Sequence, residues 1–269
     1  MVALPLARAV GRGGRVVGLD LSRGMLAVAA AKAAAEGLLA PGGPLELVEQ
    51  DADAASFPHG SLDAITCSAA LPFLTDTPRT LATWHSWLRP GGAGSSSRSS
   101  SSSSSSTSGC SCSSSSSSRG AGAGGGAGGG DGGLLAFNAF AAPNSPEFGI
   151  FLRLLADRHG IEVEDPCERL GSEERCAAAM AAAGFVDVQV VREEFDDTRP
   201  RSLEAFVDSW WRQCACSPFA PLDALLSPEQ VEALRAEWVV LATASAAQRL
   251  VGGSVVNRPV TFVVTGRRP

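Results

Sequence analysis

The hydrophobic positions of this chain follow two alternating rhythms: short unbroken apolar runs of strand length, and stretches in which apolar residues recur every three or four positions, as on one face of a helix. Val16-Val17-Gly18-Leu19 is a run of the first kind and ends at Asp20; Ser22 is then placed to cap a helix over 23–36, which Gly37 stops. Leu45 to Val48 reads as a second strand, ending near Asp51, and Leu62 to Cys67 as a third. Thr77 as N-cap and Pro78 at the first helical position predict a helix in which Leu81, Trp84 and Leu88 share a face, until Pro90-Gly91-Gly92 ends it. Further on, Leu134 to Phe140 predicts a buried strand, Ser172 to Gly184 a helix, and Val186 to Val191 another strand. Ser227-Pro228-Glu229-Gln230 fits a capping box that opens a long helix toward Leu250, and Pro259 to Thr265 is the last strand, with proline tolerated at its first position. Strands and helices in alternation predict an α/β fold, a doubly wound and mostly parallel sheet, in one domain over 1–269.

One segment breaks both rhythms. From Ser95 to Ser118, 19 of 24 residues are Ser, and from Gly120 to Gly133, 10 of 14 are Gly. Such a composition cannot bury enough apolar surface to offset the entropy of ordering, so 93–131 is expected to be a disordered insert that interrupts the domain. Closure entropy grows only with the logarithm of loop length, so an insert of this size costs on the order of 2 kcal/mol.

Composition then narrows the chemistry. With 22 basic and 28 acidic residues the net charge is −6, and the 21 arginines are scattered rather than gathered into a basic footprint, which argues against a nucleic-acid partner. At 45% apolar the chain can build a real core. Seven cysteines, at 67, 110, 112, 167, 176, 214 and 216, form an odd set without a secretory signal, so a cytoplasmic or other reducing intracellular compartment is expected. No unbroken apolar run reaches the length needed for a transmembrane span.

Four motifs, in order, carry the resemblance to a known family. They are Arg15-Val-Val-Gly-Leu-Asp-Leu-Ser22 with Met25-Leu26; Val48-Glu-Gln-Asp-Ala52; Phe57-Pro-His-Gly-Ser-Leu-Asp-Ala-Ile-Thr-Cys67-Ser68; and Trp87-Leu-Arg-Pro-Gly-Gly92. In this order and spacing the chain resembles the class I S-adenosylmethionine-dependent methyltransferases, and within them the small-molecule branch that includes quinone and sterol methylating enzymes. The match is clear over 2–92, resumes at 132–140 and is weaker for the two terminal strands. The resemblance implies a Rossmann-like methyltransferase fold, S-adenosyl-L-methionine as cofactor, and a small, largely apolar methyl acceptor.

It also implies site residues. Asp20, at the end of its strand, would accept the ribose hydroxyls of the cofactor, and an acid at that place is what a nucleoside ligand requires in a doubly wound sheet. Leu21 follows it. Asp51 would meet the adenine amino group and Ala52 would offer a backbone N–H to the ring, while Ser68 would line the methionine end. Gln50 stands where a glycine is frequent, and Leu71-Pro72-Phe73 where many relatives place a histidine, which removes one candidate base. No catalytic side chain is assigned, because the sulfonium supplies an activated methyl group and the protein has only to align the acceptor and exclude water.

Other signals fail on context. Gly11-Arg-Gly-Gly14 precedes a strand instead of following one, so it reads as a helix-to-strand turn and not as a nucleotide loop. The C-x-C pairs Cys110/Cys112 and Cys214/Cys216 lack zinc-site spacing, His59, His85 and His159 form no ligand pattern, and no metal is expected. Phe206, Trp210, Trp211 and Phe219 could line a lid over the acceptor or simply form helical core.

The family's first strand and its glycine-rich loop come before the equivalent of Val2. The resemblance therefore implies a sheet lacking its central first strand, with Val2 to Val10 helical and the strands at 16–19 and 62–67 either separated by a gap or forced into contact. Such edges leave N–H and C=O groups unpaired. Weak binding of S-adenosylmethionine is expected of this chain, with an upstream strand and glycine loop restoring it. Two rivals remain: an inactive or partner-dependent binding module, and a nicotinamide-dependent oxidoreductase, which also places an acid after its second strand.

The low-complexity insert yields the first prediction. Residues 93–131 are expected to be cleaved first in limited proteolysis, and their deletion to leave the melting temperature nearly unchanged; a large loss of stability on deletion would show that the segment packs.

Overall fold

The computed structural model describes residues 2–92, 131–142, 145–195, 201–216 and 220–269. The expected insert therefore lies, apart from its last residue, outside the described residues, as does Phe219.

Helix α1 (Ala3–Val10) leads through a short turn at Gly11–Gly13 into strand β1 (Val16–Asp20), followed by α2 (Arg23–Ala35) and β2 (Leu45–Glu49). Ser22 caps α2 by accepting the Met25 N–H at 3.3 Å, and β1 and β2 run parallel, with Asp20 opposite Glu49. Leu4 and Ala7 of α1, Ala33 of α2, Leu38 and Leu45 bury a small core of their own. Gly18 lets α1 and β2 pack closely there: a Cβ would meet Leu47 Cδ2 at 3.0 Å and the Ala3 side chain at 3.3 Å.

The second sheet contains β3 (Ala64–Cys67), β4 (Leu134–Phe140), β8 (Val260–Arg267) and β5 (Val186–Glu194), in that order. β3 pairs parallel with β4, and β8 alone runs against its neighbours, so most strands point the same way. Among the described residues no strand bridges β1 and β3, which belong to separate sheets. Of the two arrangements expected for the strands at 16–19 and 62–67, a gap or forced contact, no ladder pairing of the two is seen among the described residues, and α1 is helical as expected. Helices α3 (Thr77–Trp87) and α5 (Glu173–Ala182) cover one face of the second sheet, where Leu81, Trp84, Leu88, Met180 and Phe185 pack on Leu135, Phe137, Ala139 and Val264.

Boundaries shift for local reasons. Asp76, not Thr77, caps α3: its carboxylate accepts the Arg79 N–H at 3.0 Å, which moves Pro78 to the second helical position. Leu62 lies outside the β3 ladder and makes an isolated bridge to Leu88. The capping box at Ser227 forms as read, and α8 (Pro228–Ala247) starts there.

The pattern reading missed the helices that build a third body. α4 (Pro146–His159) and α6 (Leu203–Ala215) pack against α8, with the single turn α7 (Leu222–Leu225) and the hairpin β6 (Leu250–Val251) and β7 (Ser254–Val255) beside them. Phe151, Phe206, Trp211, Leu234 and Trp238 form its core. Phe206 and Trp211 thus serve as core, the plainer of the two roles open to them, while Trp210 is half-buried against Phe206 at 6.4 Å between ring centroids.

This helical cap is attached at one edge of the sheet. α4 follows the carboxyl end of β4, α6 follows the end of β5, and β8 begins at the same edge, since Phe140 pairs with Thr261 and Glu194 with Val260. A buried ion pair fixes the joint. Glu147 is wholly buried; it pairs with Arg249 and accepts hydrogen bonds from Ser145 Oγ at 2.9 Å and Ser245 Oγ at 3.1 Å. Arg249 also reaches Asn257 Oδ1 at 3.2 Å and lies over the Phe206 ring at 5.4 Å, and the Glu147 carbonyl accepts the indole N–H of Trp238 at 3.0 Å.

Removing one member of such a pair leaves an uncompensated buried charge. Arg249→Met is therefore expected to lower stability by about 3–5 kcal/mol in urea denaturation, and adding Glu147→Met to recover most of that loss. A single variant as stable as the parent would contradict the assignment.

Candidate functional site

Parallel strands deliver their carboxyl ends to a common edge, where side chains at the strand ends meet solvent. At this edge β1 ends in Asp20, whose carboxylate is exposed and accepts the Ser22 N–H through Oδ1 at 2.8 Å. A carboxylate has about four lone-pair positions, so most of the acceptor capacity of Asp20 remains open. Leu21 beside it is 66% exposed, an unusual state for leucine, and Met25 one turn into α2 is 52% exposed. Arg23 binds Glu49 at 2.7 and 2.9 Å and so neutralises the carboxylate next to Asp20.

From β2 the chain passes through Gln50, whose N–H donates to the Asp20 carbonyl at 3.2 Å. Asp51 then caps a single 3-10 turn, Ala52–Ala54, by accepting the Asp53 N–H at 2.9 Å. The Ala52 N–H, at the start of that turn, has no partner within it. Gln50, in place of a glycine, sends its side chain to the Ala54 carbonyl at 3.3 Å and fastens the turn. The structure thus brings Asp20, Leu21, Asp51 and Ala52 to one edge of the small sheet.

Ser68 stands apart, at the end of β3 in the second sheet, and is exposed. The bond between the two regions is one the sequence reading did not anticipate. Asp53 Oδ2 accepts both the N–H of Thr75 at 2.9 Å and its hydroxyl at 2.7 Å, tying the 52–54 turn to the loop after β3. Beside this tie opens a cleft of about 410 Å³, lined by Ala52, Asp53, Arg79 and Thr80 with Trp84 and Trp87.

A second unanticipated residue acts on Ser68's neighbour. Ala69 has φ of 55°, and its N–H donates to Asn138 Oδ1 at 2.8 Å. Asn138 is the one polar side chain in Leu134–Phe140, and a polar residue in mid-run was the available signal.

Among the described residues, neither Cys67 nor His85 is poised as an acid–base group at this edge. Burial pushes the Cys67 thiol up, with the Ala70 and Leu71 backbone N–H groups partly opposing it, so it stays protonated at neutral pH. His85 is held below the ordinary histidine range by burial and by the charge of Arg268. It also lies at the far edge, where Arg268 follows the end of β8 and binds the Ser86 and Leu88 carbonyls at 2.7 and 2.6 Å. Among the described residues no group of three or more His, Cys, Asp or Glu is placed to hold a metal ion, and no helix is long and apolar enough to cross a membrane.

Comparison with known proteins adds a family to this geometry. Residues 1–92 match the model of a methyltransferase domain. Over 269 residues the chain is 29% identical to nocamycin O-methyltransferase of Saccharothrix syringae, taking in 100% of this chain and 82% of that protein. It is 33% identical over 91 residues to the ubiquinone/menaquinone biosynthesis C-methyltransferase UbiE of a Marinomonas strain, covering 34% of this chain and 35% of the relative. Over 90 residues it is 38% identical to demethylmenaquinone methyltransferase of Geobacillus kaustophilus, covering 34% of this chain and 37% of the relative. The chain thus spans about a third of the length of these two quinone enzymes. Among solved structures, YcgJ from Bacillus subtilis is similar at 14% identity and a TM-score of 0.49, covering 96% of this chain and 88% of that one.

Proposed function

We propose that the chain is a class I S-adenosylmethionine-dependent methyltransferase, and that it transfers the methyl group of S-adenosyl-L-methionine to an oxygen of a small, largely apolar acceptor. The observation that carries the reading is the parallel pairing of β1 with β2, which brings exposed Asp20, at the end of β1, and exposed Asp51, two residues past the end of β2, to one carboxyl edge. That donor set suits a nucleoside. Asp20, with lone pairs left after Ser22, would accept the ribose hydroxyls. Asp51 would accept from the adenine amino group, the Ala52 N–H would donate to the ring, and the exposed face of Leu21 would flank it. Ser68 would stand at the methionine end.

The sulfonium of the bound cofactor supplies the methyl group already activated. What the protein's own residues then contribute is alignment of the acceptor and exclusion of water. The edge offers small or uncharged groups near Ser68, and the protonated Cys67 gives no competing nucleophile. The helical cap, joined at that same edge, would close over the acceptor, with half-buried Trp210 as a candidate wall.

The relative aligned along the whole chain, cap included, is named for O-methylation, whereas those named for quinone methylation align with only about a third of it. This favours an oxygen acceptor. All three relatives carry methyltransferase names, which favours neither a nicotinamide-dependent oxidoreductase nor an inactive binding module.

Calorimetric titration with S-adenosylhomocysteine tests the reading, with NAD as control. Asp20→Ala is expected to weaken binding by about 1.5–3 kcal/mol, the range for a charged hydrogen-bonding group, and Asp51→Ala by less, both without unfolding. Unchanged affinity in a folded Asp20→Ala protein, or tighter binding of NAD, would sink it.

A further inference from the structure

A residue with a Cβ rarely adopts positive φ, and strained backbone of this kind persists only where surrounding contacts over-determine it. Among the described residues only Ala69 and Asp187 do so without being glycine, with φ of 55° and 52°. Ala69 sits directly after Ser68, at the end of β3. Its N–H points to Asn138 Oδ1 at 2.8 Å, and only the amide oxygen of Asn138 can accept there, which fixes the orientation of that side chain.

The setting of Asn138 is rigid. Asn138 pairs with Val263 of β8, the ladder with β3 reaches the residue before it, Phe137, and Phe137 and Ala139 to either side are buried in the core. Asn138 points to the opposite, less buried face, toward neither α3 nor α5. An apolar side chain would suit a strand of this composition, so the amide there has a purpose other than packing. The amide nitrogen of Asn138 donates to nothing among the described residues.

We propose that Asn138 is a positioning residue of the methyl-transfer site: it pins Ala69 in the left-handed conformation and thereby sets Ser68 and the turn after it against the methionine end of the cofactor. The inference rests on the reading of Ser68 given above. The anchor lies on a strand paired with β8 throughout and flanked by buried Phe137 and Ala139, so the turn is preset before any ligand arrives and the ligand need not order it on binding.

The test combines two readouts on four proteins: the parent, Asn138→Ala, Asn138→Asp and the double variant Asn138→Ala/Ala69→Gly. Hydrogen exchange at the Ala69 amide reports the anchor, and titration with S-adenosylhomocysteine reports the site. Asn138→Ala is expected to speed exchange and weaken binding about fivefold, the equivalent of one net hydrogen bond. Asn138→Asp keeps an acceptor oxygen and is expected to retain both properties. Glycine adopts positive φ freely, so adding Ala69→Gly is expected to restore much of the affinity lost in Asn138→Ala while exchange stays fast, an outcome a merely structural role would not produce. Unaltered exchange in Asn138→Ala would overturn the anchor itself. Faster exchange with the same affinity in all four proteins would overturn the role toward the cofactor, and with it the reading of Ser68, while leaving Asp20 and Asp51 untouched.

Discussion

Strand β4 is the member on which the larger sheet depends, because it joins β3 to β8 and its side chains divide the two faces. Antiparallel pairing with β8 uses its N–H and C=O groups along its whole length, and parallel pairing with β3 uses those of Leu134 to Phe137. Leu135, Phe137 and Ala139 bury one face against α3 and α5, and Asn138 on the other holds the turn that ends β3. The chain then leaves Phe140 for the helical cap, whose returning strand β8 lies directly against β4. Sheet, edge and cap are thus referred to a single element. A shift of β4 by one residue would turn Asn138 inward and Phe137 outward, so its register is strongly specified.

The smaller sheet is a separate matter. β1 and β2 share a core with α1 and α2 that is distinct from the one around β4, and the cofactor carboxylates proposed here ride on it. One connection to the rest runs through the segment after β2, where Asp53 takes the N–H and hydroxyl of Thr75 and Ala52, Ala55 and Phe57 pack against the larger core. Both groups are exposed, so this tie is worth less than a buried one would be. In the proposed site, Asp20 and Ser68 would be held together by that segment and by a ligand spanning it. Binding and the relative position of the sheets are in this sense linked.

Much of this was legible along the chain because it is local. β4 occupies the residues its apolar run marks, the capping box at Ser227 forms, and Gly37 and Gly184 end their helices with positive φ. Asp20, Asp51 and Ser68 sit at strand ends, as their motifs require. Some misses were readable: Ser145-Pro146-Glu147 opens α4 with the same pattern as Ser227-Pro228-Glu229, and Ser202 caps α6. The Thr77 cap was displaced by one residue because the neighbouring Asp76 carboxylate is the stronger acceptor. What the chain does not show is long-range pairing. Asp53 to Thr75, Ala69 to Asn138 and Glu147 to Arg249 span 22, 69 and 102 residues, and no periodicity encodes which polar side chain will find which partner.

The central claim is that one nucleoside-bearing molecule occupies the carboxyl edge of both sheets at once. Mapping the backbone amides by heteronuclear NMR during titration with S-adenosylhomocysteine tests it directly. The account predicts saturable shifts at Asp20 to Ser22, at Asp51 to Asp53 and at Ser68 to Ala70 with one common dissociation constant, and little change in α5 or at the far ends of the strands. Shifts confined to one sheet, shifts centred elsewhere, or no saturable response would contradict it.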